Sequence, residues 1–160
     1  MSKSLVGAVL LIIAGTSALA QDTHDITTRF GVLTVNDERE LLFKGHPLVP
    51  PIQGNNSLDL SEIYQIGTTD VVLVTDNGGT ACPAIYHFVT ISKSGAKATP
   101  GFGSCSDLAT VKRTGDSISV SMPGFAGPFE SRRKQRTAGR ETHVFIFRAG
   151  VVTENGKRVK

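Results

Sequence analysis

Apolar residues along most of this chain come in short runs broken by turn dipeptides, with no internal repeat or low-complexity tract. Runs of this kind, rich in valine, isoleucine, threonine and aromatics, predict strands. "RFGVLTV" and "RELLFKG" flank Asn36, Asp37 and Glu38 as a first hairpin, and "TDVVLVT" runs into "DNGG", whose glycines permit positive φ in a tight turn. In "PAIYHFVTIS" one face carries Ile85, His87, Val89 and Ile91, and the other Ala84, Tyr86, Phe88 and Thr90. Both faces are largely apolar, which predicts a central strand covered on two sides.

"DSISVSM" alternates cleanly, with Ile118, Val120 and Met122 on one face and Ser117, Ser119 and Ser121 on the other. That is the pattern of a sheet with one wet side. It pairs with "LATVKR" across Thr114, Gly115 and Asp116, and "THVFIFR", "GVVTE" and "KRVK" form a last hairpin region that turns at Asn155-Gly156. The expected fold is mainly β: a single-domain antiparallel β-sandwich or open barrel of about seven or eight strands. Two stretches fit less simply. "NSLDLSEIYQIG" offers Leu60, Ile63 and Tyr64 to a helix face but Leu58, Leu60, Tyr64 and Ile66 to a strand, and a short helix is expected at Glu130 to Ala138. The segment His46-Pro47-Leu48-Val49-Pro50-Pro51 loses amide donors and backbone freedom. It is expected as an extended rigid connection, with docking to an aromatic groove the alternative.

The first twenty residues have a different character: Lys3, then an apolar stretch from Leu5 to Ala14, then Ala18-Leu19-Ala20. This is the pattern of a cleavable secretory signal peptide over residues 1–20, and its apolar run falls well short of the roughly 20 residues needed to span a bilayer. The domain is expected to occupy residues 21–160, periplasmic or secreted. Gln21, not cysteine, follows the cleavage site, which argues against a lipid-anchored lipoprotein. The signal segment removes only Lys3 from the 17 Lys and Arg set against 14 Asp and Glu. The remaining excess is too small for a general nucleic-acid binder.

Cys82 and Cys105 are the two cysteines of the chain, and in an oxidising compartment they are expected to form one disulfide. Closing a loop of about 24 residues is worth on the order of 3 kcal/mol in the chain-entropy model. A Cys82 thiolate with His87 as its base is the alternative. Five residues along one strand would put those two side chains on opposite faces.

Chemistry-bearing motifs are few. There is no H-E-x-x-H, no G-x-S-x-G, no P-loop and no metal-spaced histidine cluster, so no catalytic residue, cofactor or metal is assigned. His87 and His143 each fall in an apolar strand and read as hydrogen-bonded histidines near a core. Ser104, Asp107 and His87 would be a hydrolase triple with no activating motif around it. The distinctive polar feature is "FESRRKQRTAGRE", where Arg132, Arg133, Lys134, Arg136 and Arg140 form a candidate patch for an anionic partner, balanced in part by Glu130 and Glu141. The exposed loops are expected at "DNGG", "TPGFGS" and "MPGFAGPF", with Phe102 and Phe125 as apolar anchors.

"TDVVLVTDNGGTACPAIYHFVTIS", "FGSCSDLATVKRTGDSISVSMPGF" and the ending "VVTENGKRVK" resemble a group of small uncharacterised exported proteins of Gram-negative bacteria. The resemblance implies a periplasmic, single-disulfide, β-rich domain and adds no catalytic residue. The expected function is non-enzymatic binding of a protein or an anionic envelope component, as an inhibitor or immunity-like protein for instance. The alternatives are an enzyme acting on cell-envelope material or a structural envelope protein. Neither nucleic acid nor a membrane span is expected.

Overall fold

The computed structural model describes residues 25–160. The signal segment read at 1–20 and His24 lie outside the described residues. Among the described residues no helix is long and apolar enough to cross a membrane.

Three antiparallel sheets account for the fold. The first is a meander of short strands, β1 (Asp25–Thr28), β2 (Gly31–Val35), β3 (Leu41–Phe43) and β4 (His46–Pro47). The second places β5 (Ser57–Ile66), β6 (Thr69–Asn77) and β7 (Ala84–Ser92) side by side, and two short strands, β8 (Gly95–Ala98) and β9 (Phe102–Cys105), share the remaining edge of β7. The third runs in chain order through β10 (Thr110–Thr114), β11 (Ser117–Pro123), β12 (Thr142–Arg148), β13 (Val151–Glu154) and β14 (Lys157–Arg158). One helix, α1 (Arg132–Ala138), fills the connection from β11 to β12. No sheet closes into a barrel among the described residues. Fourteen strands are present there against the seven or eight expected. The surplus consists of pieces of two to four residues such as β4, β8, β9 and β14, too short to display a period of two.

The middle sheet is covered on both sides, and the run Val71-Val72-Leu73-Val74 shows how. Val71 and Leu73 join Tyr86, Phe88, Ile118, Val120, Phe145 and Phe147 in one buried cluster against the third sheet. Val72 and Val74 join Leu33, Leu41, Leu58, Val89 and Ile91 in a second cluster against the first sheet. Successive side chains of a strand point to opposite faces, so an unbroken apolar run is what a strand between two cores requires. The expected hairpins are all present: Val35 opposite Leu41, Thr114 opposite Ser117, and Glu154 opposite Lys157 across Asn155-Gly156.

β5 resolves the ambiguous segment as a strand with a register shift between Leu60 and Ile63. One extra residue reverses the parity of everything after it. Leu58 and Ile63 therefore serve the first-sheet core while Tyr64 and Ile66 serve the third-sheet core.

The first sheet is fastened to the middle one through Asp70. Its fully buried carboxylate accepts the Arg29 backbone N–H and the Arg29 Nε, both at 2.7 Å, while Arg29 Nη2 donates to Thr69 O at 2.7 Å. A buried carboxylate is tolerable only with such charge-assisted partners. The Pro-rich segment is an extended connector with an edge role: β4 lies at the rim of its sheet, Leu48 and Ile52 are buried, and Val49 points outward at 87 % exposure.

Candidate functional site

β7 and β12 share two ends, and the features of interest divide between them. At the Ala84 end, Cys82 and Cys105 are joined as a disulfide with Cα atoms 4.6 Å apart, and Ala84 sits opposite Cys105 in the ladder. The turn before Cys82 is tight. Gly78 N–H donates to Pro83 O at 2.8 Å, and a Cβ at Gly78 would stand 2.0 Å from Cys82 O, so this position requires glycine. Neither cysteine is free, and the thiolate alternative with His87 falls with it.

The loop "MPGFAGPF" packs on this staple: a Cβ at Gly127 would lie 3.1 Å from Ala81 O. That loop in turn holds α1. Gln135 Nε2 lies 3.0 Å from Gly127 O, 3.1 Å from Pro128 O and 3.1 Å from Glu130 O, Ser131 caps the helix by accepting from Lys134 N–H, and Ala138 is buried beneath it. A helix of seven residues is marginal by itself. Here the cap, the glutamine and the buried alanine fix it as a stub with its cations outward.

Arg132 and Arg136 are one helical turn apart, Arg133 lies beside them, and Arg140 follows just beyond the C-cap Gly139. All are exposed, and among the described residues none of these four arginines forms an ion pair. Lys134 differs, being held by Glu130 at 2.7 Å on another side of the helix. Beside the helix start, Phe129 is 92 % exposed. Sequence reading missed this aromatic because it named its glycine-flanked neighbours instead. Phe102 is corrected outright: it is 3 % exposed and packs its ring against Phe88 at 5.4 Å, Phe145 at 5.2 Å and Tyr86 at 6.0 Å, a core residue and not a loop anchor. Phe125 is partly buried in the loop that carries α1.

At the Ser92 end lies a cleft of about 990 Å³, bounded by Pro50 and Pro51, by β8, and by the turn from β12 to β13. Among the described residues its ionisable lining groups are His87, Lys97 and Arg158, with no carboxylate. His87 Nδ1 is 3.2 Å from Thr99 O. A carbonyl only accepts, so Nδ1 carries the proton and Nε2 faces Gly101. Ser104 Oγ donates to Pro123 O at 2.6 Å, and no hydrogen bond links Ser104, Asp107 and His87, so the hydrolase triple is not assembled. His143 is half-buried on β12 with Nδ1 2.7 Å from Glu154 Oε1 and Nε2 3.8 Å from Glu141 Oε2, its ring stacked on Phe145.

Two tyrosines mark the same two ends. Burial, then a hydrogen bond to Glu62 and that residue's charge, push the Tyr64 phenol up to about 12. Burial raises Tyr86 too, with Asp107 adding to it, and Tyr86 OH donates to Ser106 O at 3.1 Å.

Comparison with protein-family models, with curated proteins and with solved structures yields no match to this chain. The functional reading therefore rests on geometry.

Proposed function

We propose that this chain is an exported β-domain that works by binding, and that α1 with its supporting loop meets an anionic, phosphate-bearing component of the cell envelope. The observation that carries the reading is the set of four exposed arginines, Arg132, Arg133, Arg136 and Arg140, with no acidic partner among the described residues. Unpaired surface cations on one side of a rigid element attract anions at long range and release them in salt. Phe129, fully presented beside them, supplies the apolar contact that an interfacial site needs. The disulfide behind the loop supports export, since such bonds persist in oxidising compartments. The signal segment at 1–20 and the resemblance to small exported proteins of Gram-negative bacteria point the same way.

The test is co-sedimentation with phosphatidylcholine vesicles, with and without phosphatidylglycerol, at low and high salt. The expected result is binding to the anionic vesicles alone, reversed by salt. Each basic residue near such a surface contributes about 1 kcal/mol. The triple change Arg132→Glu, Arg133→Glu and Arg136→Glu should therefore abolish binding, and Phe129→Ser should weaken it. Equal partition to neutral vesicles, or indifference to the charge reversal, would sink the reading.

A further inference from the structure

At the Ser92 end of β7 the outer edge of β8 has no paired strand among the described residues. Thr99 N–H donates to Phe88 O at 2.9 Å, and the register continues with Lys97 opposite Thr90 and Gly95 opposite Ser92. Bonded and non-bonded pairs alternate along an antiparallel ladder. Ala96 and Ala98 therefore turn their N–H and C=O groups away from β7, and no strand among the described residues pairs on that side. Exposed edges of this kind are ordinarily blunted by short length, by charge, lysine above all, by proline or by a covering segment. β8 has two of these, its length of four residues and Lys97, but it contains no proline, and a cleft lies where a cover would be.

The cleft reaches both faces of the sheet. It touches His87 and Pro51 on one face and Thr90 and Phe147 on the other. β6 occupies the opposite edge of β7, so these two halves join around β8. They differ in chemistry. On the face of Ala96 and Ala98 the wall is mostly apolar, made by Pro50, Pro51 and Ile52, with the His87 imidazole as its polar group. On the face of Thr90, Lys97 and Arg158 stand exposed without an ion pair among the described residues, and Thr90 Oγ1 is buried without a hydrogen-bond partner.

We propose that β8 accepts an extended segment of a partner polypeptide as an added strand, with apolar side chains alternating with acidic ones. The added backbone would bond to the outward groups of Ala96 and Ala98. Its period of two would send apolar side chains toward Pro50, Pro51 and Ile52, and carboxylates toward Lys97 and Arg158. The occupant is specified by charge complementarity, since every ionisable lining group among the described residues is a base or a cation. This site shares no residue with the α1 surface.

The probe is an acetylated, amidated peptide of about eight residues alternating valine and glutamate, titrated into the isotope-labelled protein and followed by amide NMR and hydrogen exchange. The control peptide has lysine at each glutamate. The glutamate peptide should shift the Ala96 and Ala98 amides and slow their exchange by roughly tenfold or more, while the lysine peptide binds at least roughly tenfold more weakly. Ala98→Pro removes a donor that β7 does not use and should abolish binding in a protein whose spectrum is otherwise unchanged. If Ala98→Pro does not fold, Lys97→Glu takes its place and should reverse the preference toward the lysine peptide. The α1 triple reversal should leave this binding intact, so the two proposals fail separately. The proposal is overturned by binding that leaves Ala96 and Ala98 exchange unchanged, by binding that survives Ala98→Pro in a folded protein, by no binding at millimolar peptide, or by a dimer in sedimentation that already protects β8.

Discussion

The two ends of β7 are closed by different means. At Ala84 a covalent bond ties the strand to β9, Phe102 fills the core behind it, and a glycine loop and α1 pack on top. At Ser92 no covalent link exists among the described residues: the sheets are held by Arg29 on Asp70 and by apolar contact, and the cleft remains open. The contrast teaches that rigidity and access are separated in space. The stapled end presents charge on a fixed support, and the open end presents unpaired backbone and a cavity.

The largest expected effect tests the stapled end. Phe102→Ala should lower stability by about 3 to 5 kcal/mol in urea denaturation, because the ring touches three other buried aromatics. A loss below about 1 kcal/mol would return Phe102 to the surface and erase the contrast. At the open end, Arg29→Ala leaves the fully buried Asp70 without its cation, which should cost roughly 3 to 4 kcal/mol. Adding Asp70→Asn should recover part of that loss, and equal costs for the single and double variants would show that the ion pair is not what fastens the first sheet.

Cys82→Ala with Cys105→Ala should cost on the order of 3 kcal/mol, measured against the oxidised protein. Exchange rates should rise around Ala84 and α1 more than around β8. A uniform rise would mean that the two ends open together.

The smallest effect is with pH. The folded Tyr64 phenol sits at about 12 against an ordinary 10.0. The unfolded chain thus ionises first, and the stabilisation, complete below pH 10, is lost as pH rises from 10 toward 12. Urea midpoints should fall over that window, and Tyr64→Phe should flatten the fall more than Tyr86→Phe does. The reverse order would place the stronger perturbation at the stapled end.

Much of this was legible in the residues, and particular positions show why. "DSISVSM" alternates because one face of β11 is wet, and its three apolar residues are all buried. "PAIYHFVTIS" breaks alternation because β7 has a core on each side. The segment around Leu60 resisted reading for an equally local reason, since the bulge moves apolar residues from one face to the other and imitates helical spacing. Phe102 was misread because two flanking glycines suggested a loop, whereas Gly103, with φ at 137°, lets β9 run close against Tyr86 and turn the ring inward. The cationic cluster was visible as a composition. That four of its arginines have no ion pair among the described residues, and that Phe129 stands beside them, was not.

The sequence by itself determined the strand-rich class, the pairing of two cysteines, the position of α1 and the basic character of its surface. Each of these follows from near neighbours in the chain, through side-chain period, turn chemistry and charge count. Tertiary structure alone decided that the middle sheet lies between two others, that a buried Asp70 joins two of them, and that β8 borders a cleft with no strand on its outer edge among the described residues. These depend on which surfaces meet across tens of residues, and pairing energies of that kind are set by complementary burial and leave no local period to read.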